Sequence, residues 1–464
     1  MDPGGTRIPP NALLRGGLKP AELLCNRRAA GRLSVFGLLS IAQFVAPETV
    51  RGAQAQSDLS AFPKIVPERD WPWWRGPFRN GHAAAKCRPP IRFGERENVL
   101  WRSTVPGRGH SSPIVFDQRI FLATADEANP SQSVLAFSIN DGHLLWTAPI
   151  SRGGFPENNH PKNTEASPTL ASDGDHLFAV FFHHRAIHLT ALDFDGRAVW
   201  ERTLGAFHPQ KYEYGYAPSP VLYRNLVIVA AEHDGPSWIV ALDRRTGREV
   251  WRTERPPNIT FSTPVVAHVA GRDQLLISGS NHVASYHPAN GRLLWQVTGT
   301  TAATCGTMVW EGDVVFASGG YPKAETIAVR ADGSGQVVWK NNQKCYEQSM
   351  IVVGGYLYAL TDKGVMYCWR TADGAEMWRQ RLAGPVSSSP VYASGHIYWG
   401  NEAGTVFVIR PSAERCELVA ENRLGTELFA SPAVSGDRLI YRFATGHGSQ
   451  RIETLICISQ LAQR

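Results

Sequence analysis

A pattern that recurs eight times along the chain restricts the possible folds more than any other feature of the sequence. Each copy opens on a short segment that contains Ser or Thr, in most copies followed by Pro, and successive copies start 40 to 55 residues apart. The openings begin at Ser111, Ala166, Pro218, Ser262, Gly306, Gln348, Ser388 and Ala430. Self-similarity at a fixed period of this length is typical of repeat architectures such as propellers and solenoids.

Within each copy, the opening is followed by two further apolar runs, a tight turn and a closing segment. The turns carry Gly after Asp, Asn or Thr, as at Asp141-Gly142 and Thr246-Gly247, and such pairs supply the positive φ that short hairpins need. Seven closing segments carry a Trp, which we interpret as packing between neighbouring units rather than as a cofactor site. These residues are Trp101, Trp146, Trp200, Trp251, Trp295, Trp339 and Trp378.

Four short strands per unit predict an all-β fold, an eight-bladed β-propeller of four-stranded antiparallel blades. The eighth unit runs out near Ser459 after three strands, whereas residues 99–105 form an isolated closing strand near the start of the chain. We therefore expect the N-terminal strand to complete the last blade, which removes two open sheet edges. The predicted organisation is a signal peptide at 1–55, an N-terminal arm at 56–96 and the propeller at 97–460.

The first 55 residues have the features of an export signal. Arg27, Arg28 and Arg32 precede an apolar run over 33–46, and a small-x-small site ends at Ala55. This predicts a periplasmic or secreted protein, attached to a membrane only if the signal stays uncleaved. The segment also holds +4 of the total charge of +6, and the near-neutral remainder argues against nucleic acid as a partner.

The Ser-Pro openings and Gly-x-x-x-Trp closings resemble the pyrroloquinoline-quinone (PQQ) repeat over about residues 97–460. The arm, with Trp71-Pro72-Trp73-Trp74-Arg75-Gly76-Pro77, resembles a lead-in of secreted propellers of that family. The resemblance implies one of two functions. One branch consists of PQQ-dependent alcohol dehydrogenases, and the other of non-enzymatic propellers, including the lipoprotein of the β-barrel assembly machinery.

The dehydrogenase branch implies an acidic base, a Ca²⁺ held by oxygen ligands and, commonly, a pair of adjacent cysteines against the quinone. This chain has no Cys-Cys pair, no long inserts and no Glu/Asn/Asp set in matching order. We therefore expect a monomeric, non-catalytic binding or scaffold module for a protein or glycan ligand, without catalytic residues, metal or cofactor. A PQQ- and Ca²⁺-dependent alcohol or aldose oxidoreductase is the alternative.

The position three residues before the Pro or Met of each opening is expected to line the central axis. It is occupied by His110, Glu165, Ala217, Phe261, Cys305, Glu347, Ser387 and Phe429. Blades four apart in an eight-bladed ring lie opposite one another, which would place Glu165 across from Glu347. Two facing carboxylates suit a cation, a polyol or, as a third hypothesis, the acid and base of a hydrolase or lyase. Two solvated acids of the channel are the simpler interpretation.

The two longest connections between blades, residues 151–164 and 205–216, are expected on one face of the ring. Their mixture of aromatic and polar side chains suits sugars or peptides, although loops of this length also arise without function. The candidate ligand-contacting residues are Asn158, His160, Lys162, His208, Lys211, Tyr212 and Tyr214.

Overall fold

The computed structural model describes residues 59–446 and 448–460, so the predicted signal peptide lies outside the described residues. Within this part of the chain, 32 strands form eight four-stranded antiparallel sheets, which confirms the predicted eight-bladed propeller. We number the blades in chain order, so that blade 1 holds strands two to five and blade 8 holds the last three strands with the first. No helix among the described residues has the length and apolarity to cross a membrane.

The described strands and the single short helix have these bounds in chain order. The strands are β1 (Val99–Thr104), β2 (Ile114–Phe116), β3 (Arg119–Asp126), β4 (Ser131–Ser138), β5 (Leu144–Arg152), β6 (Ala171–Ser172), β7 (Leu177–His183), β8 (Ala186–Leu192), β9 (Ala198–Ala206), β10 (Val221–Tyr223), β11 (Leu226–Ala231), β12 (Ser237–Asp243), β13 (Glu249–Arg255), β14 (Val265–Val269), β15 (Arg272–Gly279), β16 (His282–Tyr286), β17 (Leu293–Thr298), β18 (Val309–Glu311), β19 (Val314–Gly319), β20 (Glu325–Arg330), β21 (Val337–Asn341), β22 (Ile351–Val353), β23 (Tyr356–Leu360), β24 (Val365–Arg370), β25 (Glu376–Arg381), β26 (Val391–Ala393), β27 (His396–Gly400), β28 (Thr405–Arg410), β29 (Glu417–Arg423), β30 (Ala433–Ser435), β31 (Arg438–Thr445) and β32 (Ile452–Ser459). A 3-10 helix spans Gly448–Gln450.

Blade 8 is closed by the two ends of the propeller domain, as predicted. Strand β1 pairs with β32 in antiparallel register, and Trp101 lies opposite Cys457. The resulting sheet has the order β1-β32-β31-β30, so its outer strand comes from the start of the domain and its inner three from the end. Without this pairing, β32 would expose an open sheet edge and β1 would have no partner strand.

Burial explains the sequence pattern of each blade. The inner strands are covered on both faces, and β11, Leu226–Ala231, is buried at every position, which requires a continuous apolar run. The outer strands are covered on one face only. Strand β13 alternates around the buried Trp251, with charged neighbours facing solvent.

Six of the seven closing Trp residues form a hydrogen bond with the next blade. The indole of Trp101 donates to the carbonyl of Ile139 at 2.9 Å, and the indole of Trp200 donates to that of Arg244 at 3.1 Å. Equivalent bonds across blade boundaries come from Trp146, Trp251, Trp339 and Trp378. Trp295 differs, because its indole donates to Gln274 within its own blade.

The turn glycine of the following blade packs directly on five of these rings, those of Trp101, Trp146, Trp200, Trp251 and Trp339. A Cβ on Gly247 would lie 2.7 Å from a ring carbon of Trp200, and Gly247 also has a φ of +67°. Gly142 and Gly196 have the same relation to the Trp of the preceding blade. The Gly and Trp of the repeat are therefore partners across a blade boundary, and not only markers of a turn and a strand.

A ring of hydrogen bonds links the blades at the axis. Each blade carries a Ser or Thr two residues before its first strand. The hydroxyl of this residue forms a hydrogen bond with the backbone of the equivalent residue in the preceding blade. Seven of these hydroxyls accept a backbone N–H at 2.8 to 3.1 Å; they belong to Ser112, Thr169, Ser219, Thr263, Ser349, Ser389 and Ser431. At the remaining boundary, Thr307 Oγ1 donates to the carbonyl of Thr263 at 3.3 Å.

The N-terminal arm crosses one end of the ring. Trp71 forms a β-bridge with Val115 of blade 1, and Arg79 donates to the carbonyl of Leu222 in blade 3. The buried Arg75 donates to the carbonyls of Met350 in blade 6 and Pro390 in blade 7. These bonds are made with the first strands of blades around the ring, so the arm covers the axis at this end.

We expect Gly247→Ala to lower the free energy of unfolding more than Gly271→Ala. Both glycines have left-handed φ, +67° and +71°, but nothing lies within 4 Å of a Cβ at Gly271. Both variants should lose about 1 kcal/mol for the strained backbone, and Gly247→Ala about 1 to 3 kcal/mol more for the contact with Trp200. Urea unfolding measures the difference, and equal losses would contradict a packing role for the Gly–Trp pair.

A single deletion tests the hydroxyl ring. Ser389→Ala leaves the amide of Ser349 without its acceptor and should cost about 1 to 3 kcal/mol of unfolding free energy. The control is Ser334→Ala, whose hydroxyl accepts the amide of Gln336 in an exposed turn where water replaces it; a change within about 0.5 kcal/mol is expected there. The same loss in both variants would argue against the ring as a stabilising element.

Candidate functional site

A cavity of about 210 Å³ lies on the axis, above the hydroxyl ring. Its wall is formed by the residue two positions before the ring hydroxyl in each blade, because side chains two apart on extended backbone face the same way. The eight wall residues are His110, Ser167, Ala217, Phe261, Cys305, Glu347, Ser387 and Phe429. Seven of these are the axial positions predicted from the repeat.

Blade 2 departs from the prediction, and the correction concerns Glu165. In the other blades, the Ser or Thr directly before the Pro or Met is the ring residue. In blade 2 the ring residue is Thr169, two positions after the Ser of Ser167-Pro168, and the first strand, Ala171–Ser172, follows it. Ser167 therefore takes the wall position, and Glu165 lies outside the lining of the cavity. The expected pair of facing carboxylates is not formed, since Ser167 occupies the position across from Glu347.

Glu165 has an environment of its own beside the cavity. Its Oε1 accepts a hydrogen bond from Asn159 Nδ2 at 2.7 Å. Burial raises the pKa of Glu165 to about 7, although the bond from Asn159 acts in the opposite direction. The carboxyl is thus poised between its two protonation states near neutral pH.

Trp74 of the arm forms the floor of the cavity. Its indole donates to Thr307 Oγ1 at 2.8 Å, which accounts for the different bond at that boundary of the ring. Trp74 lines the cavity together with Ser112, Thr169 and Ser431 of the ring. The arm therefore converts an axial channel into a cup that opens at the opposite end.

The two long loops, residues 153–164 and 207–216 between strands, meet over the open end. Asn163 Nδ2 donates to the carbonyl of Tyr214 at 2.8 Å and to Asn159 Oδ1 at 3.0 Å, and Asn158 bonds to Glu213. The bonds from Asn163 to Tyr214 and from Asn158 to Glu213 hold the two loops to each other. We call the two loops together the lid.

Several predicted lid residues reach the cavity and others do not. His160, Lys162 and Tyr214 line it, and the ring of His160 lies 4.7 Å from that of Tyr214. Tyr212 instead packs on the rim, 5.4 Å from the ring of Tyr321 in blade 5. The remaining predicted residues, Asn158, His208 and Lys211, are exposed and lie outside the lining.

The ammonium of Lys162 lies between two carboxylates on the far side of the cup. It is 2.6 Å from Glu402 Oε1 and 3.7 Å from Glu347 Oε1. The hydroxyl of Ser387 contacts both carboxylates and lies 2.6 Å from Glu402 Oε1. Burial raises the pKa of Glu347, although Ser387 and Lys162 act against this shift.

Glu402 and Tyr346 also belong to this site, although the repeat did not predict them. Glu402 lies just after the second strand of blade 7. Asp362 and Glu232 lie just after the second strands of blades 6 and 3. An acidic residue at that place in several copies was a detectable signal. Tyr346 directly precedes the wall residue Glu347 and belongs to no repeated position that the openings define.

The rest of the wall is uncharged at neutral pH and includes three aromatic rings, those of His110, Phe261 and Phe429. His110 stacks on Phe429 with ring centroids 4.4 Å apart, and burial lowers the pKa of His110 to about 3. Burial also raises the pKa of the Cys305 thiol well above its ordinary value. The buried Nε2 of His110 has no hydrogen-bond partner among the described residues. The cup therefore suits a ligand with apolar surface and a few polar groups.

Comparison with known proteins places the chain in a family. The family model described as outer membrane protein assembly factor BamB matches residues 94–156, 131–344 and 323–451, more than half of the chain. The chain belongs to the BamB family. This confirms the resemblance to PQQ-like propellers that the repeat indicated.

Individual BamB relatives are distant. The outer membrane protein assembly factor BamB of Yersinia pestis is 22% identical over 68% of this chain and 78% of its own length. The crystal structure of BamB from Moraxella catarrhalis superposes with a TM-score of 0.55 and 13% identity, over 77% of this chain and 98% of that one. A europium-containing methanol dehydrogenase superposes with a TM-score of 0.58 and 11% identity, over 84% and 92%. At these identities, the structural matches establish the shared propeller fold.

The residues of this BamB-family cup do not fit the Ca²⁺ that accompanies PQQ in the dehydrogenase branch. Ca²⁺ takes about six to eight oxygen ligands. Here the nearby carboxylates, Glu347 and Glu402, already share the Lys162 ammonium and the Ser387 hydroxyl. No group of three His, Cys, Asp or Glu side chains placed to hold a metal occurs within 59–446 and 448–460.

We expect Glu165→Gln to change the pH dependence of stability. A carboxyl with a folded pKa of about 7 binds its proton more tightly in the folded state, so its ionisation lowers stability as pH rises from about 4.5 to 7. The variant mimics the protonated form, so its advantage over the natural protein should grow across that window by about 1 to 3 kcal/mol. Unfolding at pH 5 and pH 8 measures it, and a constant difference would show an ordinary carboxylate.

Proposed function

We propose that the protein is a non-catalytic, protein-binding propeller of the periplasm, and that the lid and the rim of the cup form its contact surface. Membership of the BamB family supports this proposal, because the Yersinia pestis relative is named as an assembly factor for outer membrane proteins. The export signal predicted at residues 1–55 supports the compartment.

The observation that carries the proposal is a cluster of exposed tyrosines beside the cup. Tyr212, Tyr214 and Tyr321 are 36%, 38% and 45% exposed, although each packs against another aromatic ring. Tyrosine is enriched at protein interfaces, where its ring supplies contact area at a low cost in side-chain entropy. The packing holds these rings in place before a partner arrives, which favours binding.

The lid adds polar groups around these rings. The amides of Gln210 and Lys211 donate to the carboxylate of Asp234 at 2.9 and 2.8 Å, so the exposed side chains of Lys211 and His208 project from an anchored loop. An apolar centre with a polar border is the usual composition of a protein contact surface.

Site-specific photo-crosslinking tests the proposed surface. A benzophenone amino acid at Tyr321 should capture the same cell-envelope protein in repeated preparations, identified by mass spectrometry. The control position is Leu418 on the outer strand β29, which is similarly exposed at 37% and should capture nothing. Equal capture at both positions, or none at Tyr321, would contradict the assigned surface.

The dehydrogenase alternative has a separate test. The purified protein is incubated with PQQ and Ca²⁺ and assayed for dye reduction with alcohols and aldoses. The non-catalytic proposal expects no reduction above that of PQQ alone. Turnover that depends on the protein would overturn the proposal.

A further inference from the structure

We propose that the cup binds a primary ammonium group presented by a lysine side chain of the partner, and that Lys162 holds this position until the ligand displaces it. The inference rests on the proposed protein-binding function for the source of the ammonium. We call the receiving groups, Glu347, Glu402 and Ser387, the ammonium pocket.

The ammonium pocket is built from two blades. Glu347 occupies the wall position of blade 6, Ser387 that of blade 7, and Glu402 follows the second strand of blade 7. A hydroxyl has one proton to donate, so Ser387 satisfies one carboxylate at a time and leaves acceptor capacity on the other. An ammonium with three N–H donors matches that capacity, and the chain's own Lys162 already binds there at 2.6 Å from Glu402.

The charge balance favours a cation over an anion. Two carboxylates face one ammonium in this part of the cup, and the neutral His110 and Cys305 add no positive charge to the wall. A carboxylate or phosphate ligand would meet Glu347 and Glu402 at a place where the ammonium of Lys162 is already paired with both. A ligand ammonium meets carboxylates that have been desolvated by the fold.

The aromatic wall suits the rest of a lysine side chain. Phe261, Phe429 and Tyr214 line the cup beside the pocket, and the floor is the indole of Trp74. Methylene groups gain free energy by burial against such rings, and an ammonium is attracted to their faces.

Displacement of Lys162 leaves the ion pairing unchanged. Lys162 belongs to the lid, which starts between blades 1 and 2, and its side chain remains 37% exposed where it reaches across the cup. On release its ammonium returns to water, while the incoming ammonium takes over both carboxylates. An uncompensated buried carboxylate, which would be costly, is therefore avoided during exchange.

Calorimetric titration of the full chain with Nα-acetyl-lysine N-methylamide tests the inference. Lys162→Met keeps the apolar stem but removes the competing ammonium, and it should bind this probe about tenfold more tightly than the natural protein. Lys162→Arg retains a competing cation and should show no such gain. Adding Glu402→Gln to Lys162→Met should abolish the gain, with circular dichroism confirming that each variant is folded.

The same probe acetylated at Nε, which has no charge, is expected to bind none of the variants detectably. Equal affinity of Lys162→Met and the natural protein for the charged probe would overturn the inference, as would binding of the acetylated probe with equal strength. Both outcomes leave the crosslinking result at Tyr321 unaffected.

A second set of ligands separates a partner's lysine from a free amine. Binding of both the lysine probe and a lysine-containing pentapeptide supports the full inference. Binding of n-butylamine without the two lysine compounds would overturn the assignment of the ammonium to a protein and would count against the proposed function at this site. Specific crosslinking at Tyr321 with no amine binding at all would overturn the inference alone.

Discussion

The hydroxyl ring at the axis determines how far apart the first strands of neighbouring blades lie. It thereby determines the width of the cup above it. Seven of the eight ring hydroxyls accept a backbone N–H from the ring residue of the preceding blade, and the eighth, that of Thr307, donates to a backbone carbonyl instead. Since side chains two apart on extended backbone face the same way, the ring also determines which residues line the cup.

The arm breaks the symmetry of that ring at one place and so gives the cup a floor. The hydroxyl of Thr307 accepts a hydrogen bond from the indole N–H of Trp74 and donates its own proton to the carbonyl of Thr263. The other ring hydroxyls accept a hydrogen bond from a backbone N–H. Behind Trp74 lies the buried Arg75, whose guanidinium bonds to backbone carbonyls and has no carboxylate partner among the described residues. Burial lowers the pKa of Arg75 to about 9, which still leaves it charged at neutral pH. A charge held by carbonyls of separate blades ties the arm to the assembled ring.

Features that depend on the repeat were predictable, because eight copies constrain one another. The blade count, the split eighth blade and seven wall positions followed from the register of the openings. The wall position of blade 2 was predicted wrongly because Ser167-Pro168 reproduces the opening motif two residues before the actual ring residue, Thr169. The contact between Lys162 and Glu402 was not predictable, since it joins a loop that occurs once to a residue 240 positions away.

The functional character of this propeller lies where single copies depart from the repeat. Positions that carry the same residue type in most blades satisfy one another across blade boundaries, as Gly247 and Trp200 do, and so leave little free to contact a ligand. Trp74, Lys162 and Tyr212 have no counterpart in the other blades, and each one bounds the cup or its rim. Because ring and blade contacts hold the scaffold independently of these residues, the floor, lid and rim are free to change with the ligand while the eight-bladed frame stays the same.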